Sequence, residues 1–170
     1  MPLVPFDQLP DDARLWVFQA SRALTPQERD SLLEQIDAYL GDWKAHGAPL
    51  RTGREVEYDR FLLVAADESA TGASGCSIDG LTGAIREAER RLGVTFTDNA
   101  SLWFRGKTGV LRRVSRDDFR TLANTGEVDP DTTVFDNTIT TLDAMRGGRW
   151  ELPARSSWHA RVFFRDKVKA

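Results

Sequence analysis

The chain has few of the residues on which metal sites and disulfide frameworks depend. Of its 170 residues, one is a cysteine, Cys76, and two are histidines. One thiol cannot form an internal disulfide, and a structural zinc site ordinarily needs four nitrogen or sulfur ligands. We therefore expect neither a disulfide-stabilised fold nor a zinc centre, while the identity of any other cofactor stays open.

Long apolar runs and targeting segments are lacking as well. No stretch of the sequence approaches the roughly 20 apolar residues that a membrane-spanning helix needs. The first seven residues contain no lysine or arginine ahead of an apolar run, so they do not have the pattern of a secretory signal. The sequence thus predicts a cytoplasmic protein that does not bind a membrane.

The composition is otherwise that of a globular chain, but its charge is unevenly distributed. Hydrophobic residues make up 41% of the chain, and we expect a single domain over residues 1–170. Residues 1–99 hold ten basic and 17 acidic side chains, whereas residues 100–170 hold 13 basic and nine acidic ones. The basic part can attract an anionic partner, although such an imbalance is also typical of a solvated surface.

Hydrophobic periodicity predicts a strand, a long helix and a second strand in the first part of the chain. Residues 15–20 have the composition of a strand. Thr25 and Glu28 form a capping-box pattern, and apolar residues at helical spacing continue to Gly47, which predicts a helix of about 22 residues. Residues 58–66 form a nearly continuous apolar run, typical of a strand covered on both faces. This order predicts a βαβ start with parallel strands.

Further elements follow, and together they indicate an α+β fold. We expect a second helix at 77–93, a β-hairpin from residues 101–104 and 110–114, a capped helix at 115–126, strands at 132–135 and 158–164, and a helical turn at 142–145. The predicted architecture is a single-domain mixed sheet with a βαβ start, a long first helix and a later β-hairpin.

Two segments imitate nucleotide-binding motifs. Residues 61–68 end an apolar strand in two acidic residues, as a Walker B segment does, and residues 101–108 end in Gly-Lys-Thr, as a P-loop does. A P-loop needs glycine-rich backbone around the phosphates and then the N-terminus of a helix. Here Ser101 stands where the first glycine should be, bulky side chains follow it, and a strand is predicted next. We therefore predict that the chain is not a P-loop ATPase.

Four segments stand out for their residue order: Trp43-Lys44-Ala45-His46-Gly47, the strand ending in Asp67-Glu68, Ser74-Gly75-Cys76-Ser77-Ile78-Asp79 and Phe135-Asp136-Asn137. Together they resemble a family of uncharacterised small bacterial proteins whose members are often labelled automatically as ABC transporter ATPases. The resemblance extends from end to end of the chain, and the hexapeptide is its most specific part. No activity is established for that family, so the resemblance implies no catalytic residues, and the label conflicts with the missing P-loop.

The predicted parallel strands would bring several polar groups to one edge of the sheet. Ligands of open α/β folds bind beyond the carboxyl ends of parallel strands, where helix N-termini also lie. The candidate catalytic groups at this edge are Cys76, Asp67 and Glu68, and the candidate ligand-binding groups are Arg22, Ser74, Ser77 and Asp79. We expect a site here for a small anionic or metal-associated ligand, in either an enzyme or a binding protein.

Each of these groups also has a purely structural interpretation. A helix N-terminus lowers the pKa of a thiol, so Cys76 is a candidate nucleophile, but a small buried residue in a tight turn is the alternative. The carboxylates suit Mg²⁺, and Arg22 either binds an anion or neutralises those carboxylates in a salt bridge. For Ser77 and Asp79 the structural interpretation is ordinary helix capping, which we favour over a ligand-binding role.

A second hypothesis gives the chain no catalytic role. Basic residues gather on and after the predicted hairpin: Arg105, Lys107, Arg112, Arg113, Arg116 and Arg120. Trp103 and Phe104 lie beside them, and basic side chains with aromatic neighbours can bind single-stranded nucleic acid. This surface is therefore an alternative site for RNA or an acidic protein, although Asp117 and Asp118 dilute its charge.

Overall fold

The computed structural model of the protein describes residues 3–45, 47–69 and 75–167, and for residues 45 and 75–77 it describes the backbone alone. The chain divides into two compact units. The first unit is Met1–Thr97 with Thr140–Asp143, and the second is Asp98–Ile139 with Ala144–Ala170. The α+β class is confirmed, because helices accompany antiparallel sheets in both units. The assignment of all 170 residues to one domain stays a prediction.

The first unit is built around a three-stranded sheet. Its elements are β1 (Arg14–Gln19), α1 (Pro26–Asp42), β2 (Lys44–Ala45), β3 (Ala48–Pro49), β4 (Arg51–Glu57), β5 (Phe61–Asp67) and α2 (Gly75–Leu92). The strand order is β1-β5-β4, and both neighbouring pairs run antiparallel. Strands β2 and β3 form a separate two-stranded ladder.

Strand β5 is buried from Phe61 to Ala66, where no residue is more than 1% exposed. One of its faces contributes Leu62, Val64 and Ala66 to a core that also contains the apolar stripes of both helices: Leu32, Ile36, Leu40, Leu81, Ile85 and Ala88. A strand in the middle of a sheet with both faces covered needs apolar residues at every position. The predicted burial of this strand on both faces is confirmed.

The predicted pairing of parallel neighbours is wrong. Strands β1 and β5 run antiparallel, with Gln19 opposite Phe61 and Arg14 opposite Ala66. Strand β4 lies between the predicted helix and the predicted second strand, where no element was assigned, and it explains the difference, because a tight turn after Glu57 sends β5 back between β1 and β4. Strands β1 and β4 therefore run parallel with β5 between them. The predicted mixed sheet is also wrong, since each ladder between neighbouring strands is antiparallel.

Helix α1 begins as predicted and ends earlier. The side chain of Thr25 accepts a hydrogen bond from the Glu28 amide at 3.2 Å, and the Thr25 amide donates to the Glu28 carboxylate at 3.0 Å, which confirms the capping box. The helix stops at Asp42 because Trp43 adopts an extended backbone and packs into the core at 3% exposure, with its ring centroid 5.5 Å from that of Trp16.

The second unit contains a four-stranded sheet and short helices. Its elements are β6 (Ser101–Arg105), β7 (Leu111–Ser115), α3 (Arg116–Thr125), β8 (Thr133–Phe135), β9 (Glu151–Pro153) and α5 (His159–Phe163). Helix α4 (Leu142–Arg146) begins in the first unit and ends in the second. The strand order is β7-β6-β8-β9. The predicted hairpin is confirmed, and so is the start of α3, where the Ser115 hydroxyl accepts a hydrogen bond from the Asp118 amide at 3.0 Å.

The predicted strand at residues 158–164 is wrong, because this segment forms α5. Phe163 and Phe164 are adjacent and both buried, and their rings lie 4.8 and 6.1 Å from that of Phe119 on α3. Neighbouring residues of a strand point to opposite faces of the sheet, so a strand could not direct both rings to one partner. No helix in the described ranges combines the length and the apolar character that a membrane crossing requires.

Candidate functional site

The antiparallel arrangement separates the residues that were predicted to share one edge of the sheet. Arg22 follows the end of β1 that lies beside Phe61, whereas Asp67 and Glu68 lie at the other end of β5. Six residues of extended strand span about 20 Å. Arg22 therefore cannot share a small ligand with the two carboxylates, and the predicted convergence is wrong.

Arg22 instead stabilises the start of α1. Its Nη1 and Nη2 atoms donate to the two carboxylate oxygens of Glu28 at 2.8 and 2.7 Å. These bonds, followed by the hydrogen bond from the Thr25 amide, lower the pKa of Glu28 to about 2. Arg22 thus forms a structural salt bridge, with Glu28 in place of the predicted carboxylates.

Asp67 and Glu68 lie near arginines that begin the two neighbouring strands. The Asp67 carboxylate accepts a hydrogen bond from the Ser69 amide at 2.9 Å and lies 3.8 Å from Arg51 Nη1. Hydrogen bonding to Ser69 is the main reason why the pKa of Asp67 is lowered. Glu68 Oε1 lies 3.8 Å from Arg14 Nη1. Because β1 and β4 run opposite to β5, this edge receives basic residues from the starts of strands.

Helix α2 begins at Gly75, so Cys76 and Ser77 are in its first turn and the exposed Asp79 lies inside the helix. Asp79 therefore cannot cap the helix start, which is four residues earlier. Ser74 lies outside the described residues, and the side chains of Cys76 and Ser77 are not described. The nucleophilic role of Cys76 stays a prediction.

Within the described part of the chain, no group of three or more histidine, cysteine, aspartate or glutamate side chains is placed to hold a metal ion. The carboxylates of Asp67, Glu68 and Asp79 are all described, so these three do not form such a group, whereas Mg²⁺ held by Asp67 and Glu68 alone stays a prediction.

The P-loop imitation is part of the β-hairpin. Ser101–Arg105 is strand β6, Gly106, Lys107 and Thr108 lie in the turn, and strand β7 follows. The predicted strand after the Gly-Lys-Thr sequence is thus confirmed. The element that follows this turn is strand β7 and not the helix that a P-loop requires. That the chain is not a P-loop ATPase stays a prediction.

Ion pairs neutralise half of the predicted basic residues on and after the hairpin. Each of three arginines lies within 3.0 Å of a carboxylate oxygen: Arg105 of Glu151, Arg112 of Glu127, and Arg113 of Asp98. The neighbouring rings of Trp103 and Phe104 are 6% and 0% exposed, so neither ring is open to stack on a base. Of the six predicted basic residues, the exposed Lys107, Arg116 and Arg120 remain outside these ion pairs.

A groove in the second unit collects cations that are not neutralised in this way. It has a volume of about 690 Å³ and lies beside the end of α3 and the segment from α5 to Lys167. Its charged lining residues are Arg120, Arg161, Arg165, Lys167 and one acidic residue, Asp166. None of these four cations pairs with a carboxylate of the described residues. We call this feature the cationic groove.

Backbone carbonyls hold two cations of the groove in place. Arg120 Nη1 donates to the Val162 carbonyl at 3.1 Å, and its guanidinium lies 5.3 Å from the ring centroid of Phe163. Lys167 Nζ donates to the Ala123 carbonyl at 3.0 Å, near the C-terminus of α3. Such contacts orient the side chains without cancelling their full positive charge.

The helical spacing of α3 explains how the groove forms. Phe119 and Ala123 are buried, and the residues that follow them, Arg120 and Asn124, lie four apart on the groove side of the helix. Aromatic contacts to Phe119 hold α5 and the following segment against α3. The groove is therefore lined by polar residues and built on an aromatic core.

Comparisons with protein-family models, with curated proteins and with solved structures find no match for this chain. The resemblance to the family of small bacterial proteins stays a prediction.

A buried histidine lies on the same helix as part of the groove lining. His159 Nδ1 is 2.7 Å from the Ser157 hydroxyl, while Nε2 has no hydrogen-bond partner among the described residues. The imidazole is 0% exposed and contacts the rings of Phe119, Trp158 and Phe163. The pair resembles a serine–histidine dyad, but a base without solvent access cannot exchange protons with a substrate.

The sequence interpretation missed most of this groove. Arg120 was the one groove cation that it named, as part of the basic surface after the hairpin. Arg161 lies in the segment interpreted as a strand and Arg165 lies just after it, and their spacing of four residues was the available signal. Helical spacing would have placed both on one side of a helix.

Proposed function

We propose that this protein is a binding module that holds an anionic ligand in the cationic groove. The main evidence for this proposal is the set of contacts that hold the cations of the groove. Arg120 and Lys167 are oriented by carbonyls and an aromatic ring, whereas the hairpin arginines pair with carboxylates. Positioned cations that keep their charge are ready for an anion without reorganisation.

The charge of the whole second unit supports the same ligand class. This unit contains 13 basic and nine acidic residues, whereas the first unit contains ten basic and 17 acidic ones. A net positive unit raises the local concentration of anions and speeds their association. We therefore keep the anionic ligand that was expected from the sequence, but we assign it to the cationic groove of the second unit instead of the edge of β5.

The size of the groove suits a ligand with several charged groups. Its volume of about 690 Å³ falls within the roughly 300–1,000 Å³ of typical ligand sites. Three of its four cations are arginines, whose planar guanidinium groups can bind carboxylates or phosphates through two hydrogen bonds each. The groove can therefore bind several acidic groups at once.

A charge reversal tests this proposal. The variant Arg161→Glu with Arg165→Glu changes two exposed side chains of the groove, and Lys107→Glu with Arg155→Glu makes the same change in charge elsewhere in the second unit. Calorimetric titration with inorganic polyphosphate at low salt should show binding to the wild type and the control, and binding at least about tenfold weaker to the groove variant. High salt should weaken all three.

Two results would overturn the proposal. One is equal affinity of the groove variant and the wild type for polyphosphate, which would show that the anion binds outside the groove. The other is the absence of binding to the wild type at low salt, where screening is weakest.

A further inference from the structure

On the basis of the proposed function, we infer that the occupant of the cationic groove is an acidic peptide segment of a protein partner. A nucleic acid strand is the other polyanion that four cations could attract. The two differ in what they need besides positive charge, and the residues around the groove discriminate between them.

Single-stranded nucleic acids need aromatic faces on which bases can stack. The guanidinium groups of Arg116 and Arg120 already occupy the rings next to the groove, at 5.0 Å from Trp158 and 5.3 Å from Phe163. Trp158 also stacks on His159 at 3.8 Å, and Phe163 is 9% exposed. A nucleic acid strand would therefore gain phosphate contacts here and little stacking.

An exposed apolar side chain favours a peptide. Val162 lines the groove between its arginines and is 38% exposed, one of the few large apolar side chains on the described surface. A phosphodiester backbone has no apolar group to place on it. An acidic peptide with one leucine or similar residue would cover Val162 while its carboxylates bind the arginines.

The polar groups of the lining suit a peptide backbone as well. Among the described residues that line the groove, Asp166 is the one with a carboxylate, and Asn124 has an exposed side-chain amide. A carboxylate repels each phosphate of a nucleic acid, and the sugar–phosphate backbone offers at most one donor per nucleotide, the 2′-hydroxyl of RNA. A peptide has an N–H group at nearly every residue, so it can donate to Asp166 and accept from Asn124.

The test compares three labelled probes by fluorescence anisotropy at one salt concentration. The first is an acidic peptide of about ten residues with one central leucine, the second is a glutamate peptide without the leucine, and the third is a uridine oligomer of equal charge. We expect the leucine-containing peptide to bind at least about tenfold tighter than the RNA oligomer. Val162→Thr, which keeps the side-chain shape, should weaken that peptide about threefold and leave the all-glutamate peptide unchanged.

The outcomes separate this inference from the proposed function. If the RNA oligomer binds as tightly as the peptide and loses affinity in the Arg161→Glu/Arg165→Glu variant, the anion site stands and the peptide inference is wrong. Equal effects of Val162→Thr on both peptides would also overturn the inference. If neither the probes nor polyphosphate bind at low salt, the proposed function itself fails.

Discussion

His159 makes the stability of the second unit depend on pH. Burial, and secondarily the positive charge of Arg116, lower its pKa to about 3. The unfolded chain takes up a proton near the ordinary pKa of 6.5, whereas the folded chain does not. The neutral His159 therefore makes its full contribution to the free energy of unfolding above pH 6.5. This contribution is lost as the pH falls towards 3, at a rate of up to about 1.4 kcal/mol per pH unit.

Urea unfolding at pH 7 and pH 5 measures this effect. His159 should account for a loss of up to about 2 kcal/mol between the two values, and the variant His159→Phe should remove that part of the pH dependence. Phenylalanine keeps a ring among Phe119, Trp158 and Phe163 but cannot titrate. An unchanged difference between pH 7 and pH 5 in the variant would contradict the assignment.

Residues whose roles are decided within a few positions could be predicted from the sequence. Thr25 and Ser115 cap their helices as expected, and Gly126 ends α3 with a φ of 81°. Capping depends on the three or four residues that follow, which the sequence displays directly. The partner of Arg22 was missed, although Glu28 is only six positions away, because Glu28 was interpreted as a capping residue alone.

Helices α1 and α2 approach closely at a glycine, and this contact can be tested. A Cβ atom added at Gly80 on α2 would lie 2.5 Å from Tyr39 Oη on α1. We expect Gly80→Ala to lower the free energy of unfolding by about 1 kcal/mol, because overpacking outweighs the better helix propensity of alanine. Chemical denaturation of the full chain gives the value.

Gly83 is the matched control on the same helix. A Cβ atom there meets nothing within 4 Å, so Gly83→Ala should raise the stability by about 0.5–1 kcal/mol. In a Tyr39→Phe background, which removes the crowded oxygen, most of the cost of Gly80→Ala should disappear. The same sign for both glycine substitutions in the wild type would show that the helices do not touch at this point.

Elements that depend on distant contacts could not be predicted. Strand β4 contains four charged residues and a glycine, so its local pattern is that of a loop. Gly53 is needed because the N-terminal segment crosses it, with Val4 O only 3.1 Å from where a Cβ would lie. That contact joins residues almost fifty positions apart. Missing β4 reversed the direction assigned to β5, and this error produced the predicted edge site.

The same limit explains what was missed of the cationic groove. A basic second part of the chain was visible from composition, and this asymmetry coincides with the boundary between the two units. The approach of α5 to α3 was not visible, because it depends on Phe119 meeting Phe163 and Phe164 across more than forty residues. Composition can therefore indicate an anionic partner, but the binding surface requires tertiary structure.

The first unit depends on four residues from much later in the chain. Leu15 donates from its amide to the Thr140 carbonyl at 2.8 Å, and the amides of Leu142 and Asp143 donate to the Ala13 and Asp11 carbonyls at 3.0 and 2.7 Å. This segment covers the start of the outer edge of β1 and the residues just before it, which would otherwise present unpaired backbone groups. Open strand edges favour association with other chains.

A fragment of residues 1–97 should therefore be less stable than the same residues in the full chain and should self-associate. Hydrogen exchange at the β1 amides measures the loss of protection, and sedimentation velocity measures the association. A synthetic peptide of residues 137–146, added to the fragment, should restore part of the protection because it supplies the missing segment. A monomeric fragment with full protection of β1 would show instead that the edge of this sheet needs no cover, and that Thr140–Asp143 follows the first unit without stabilising it.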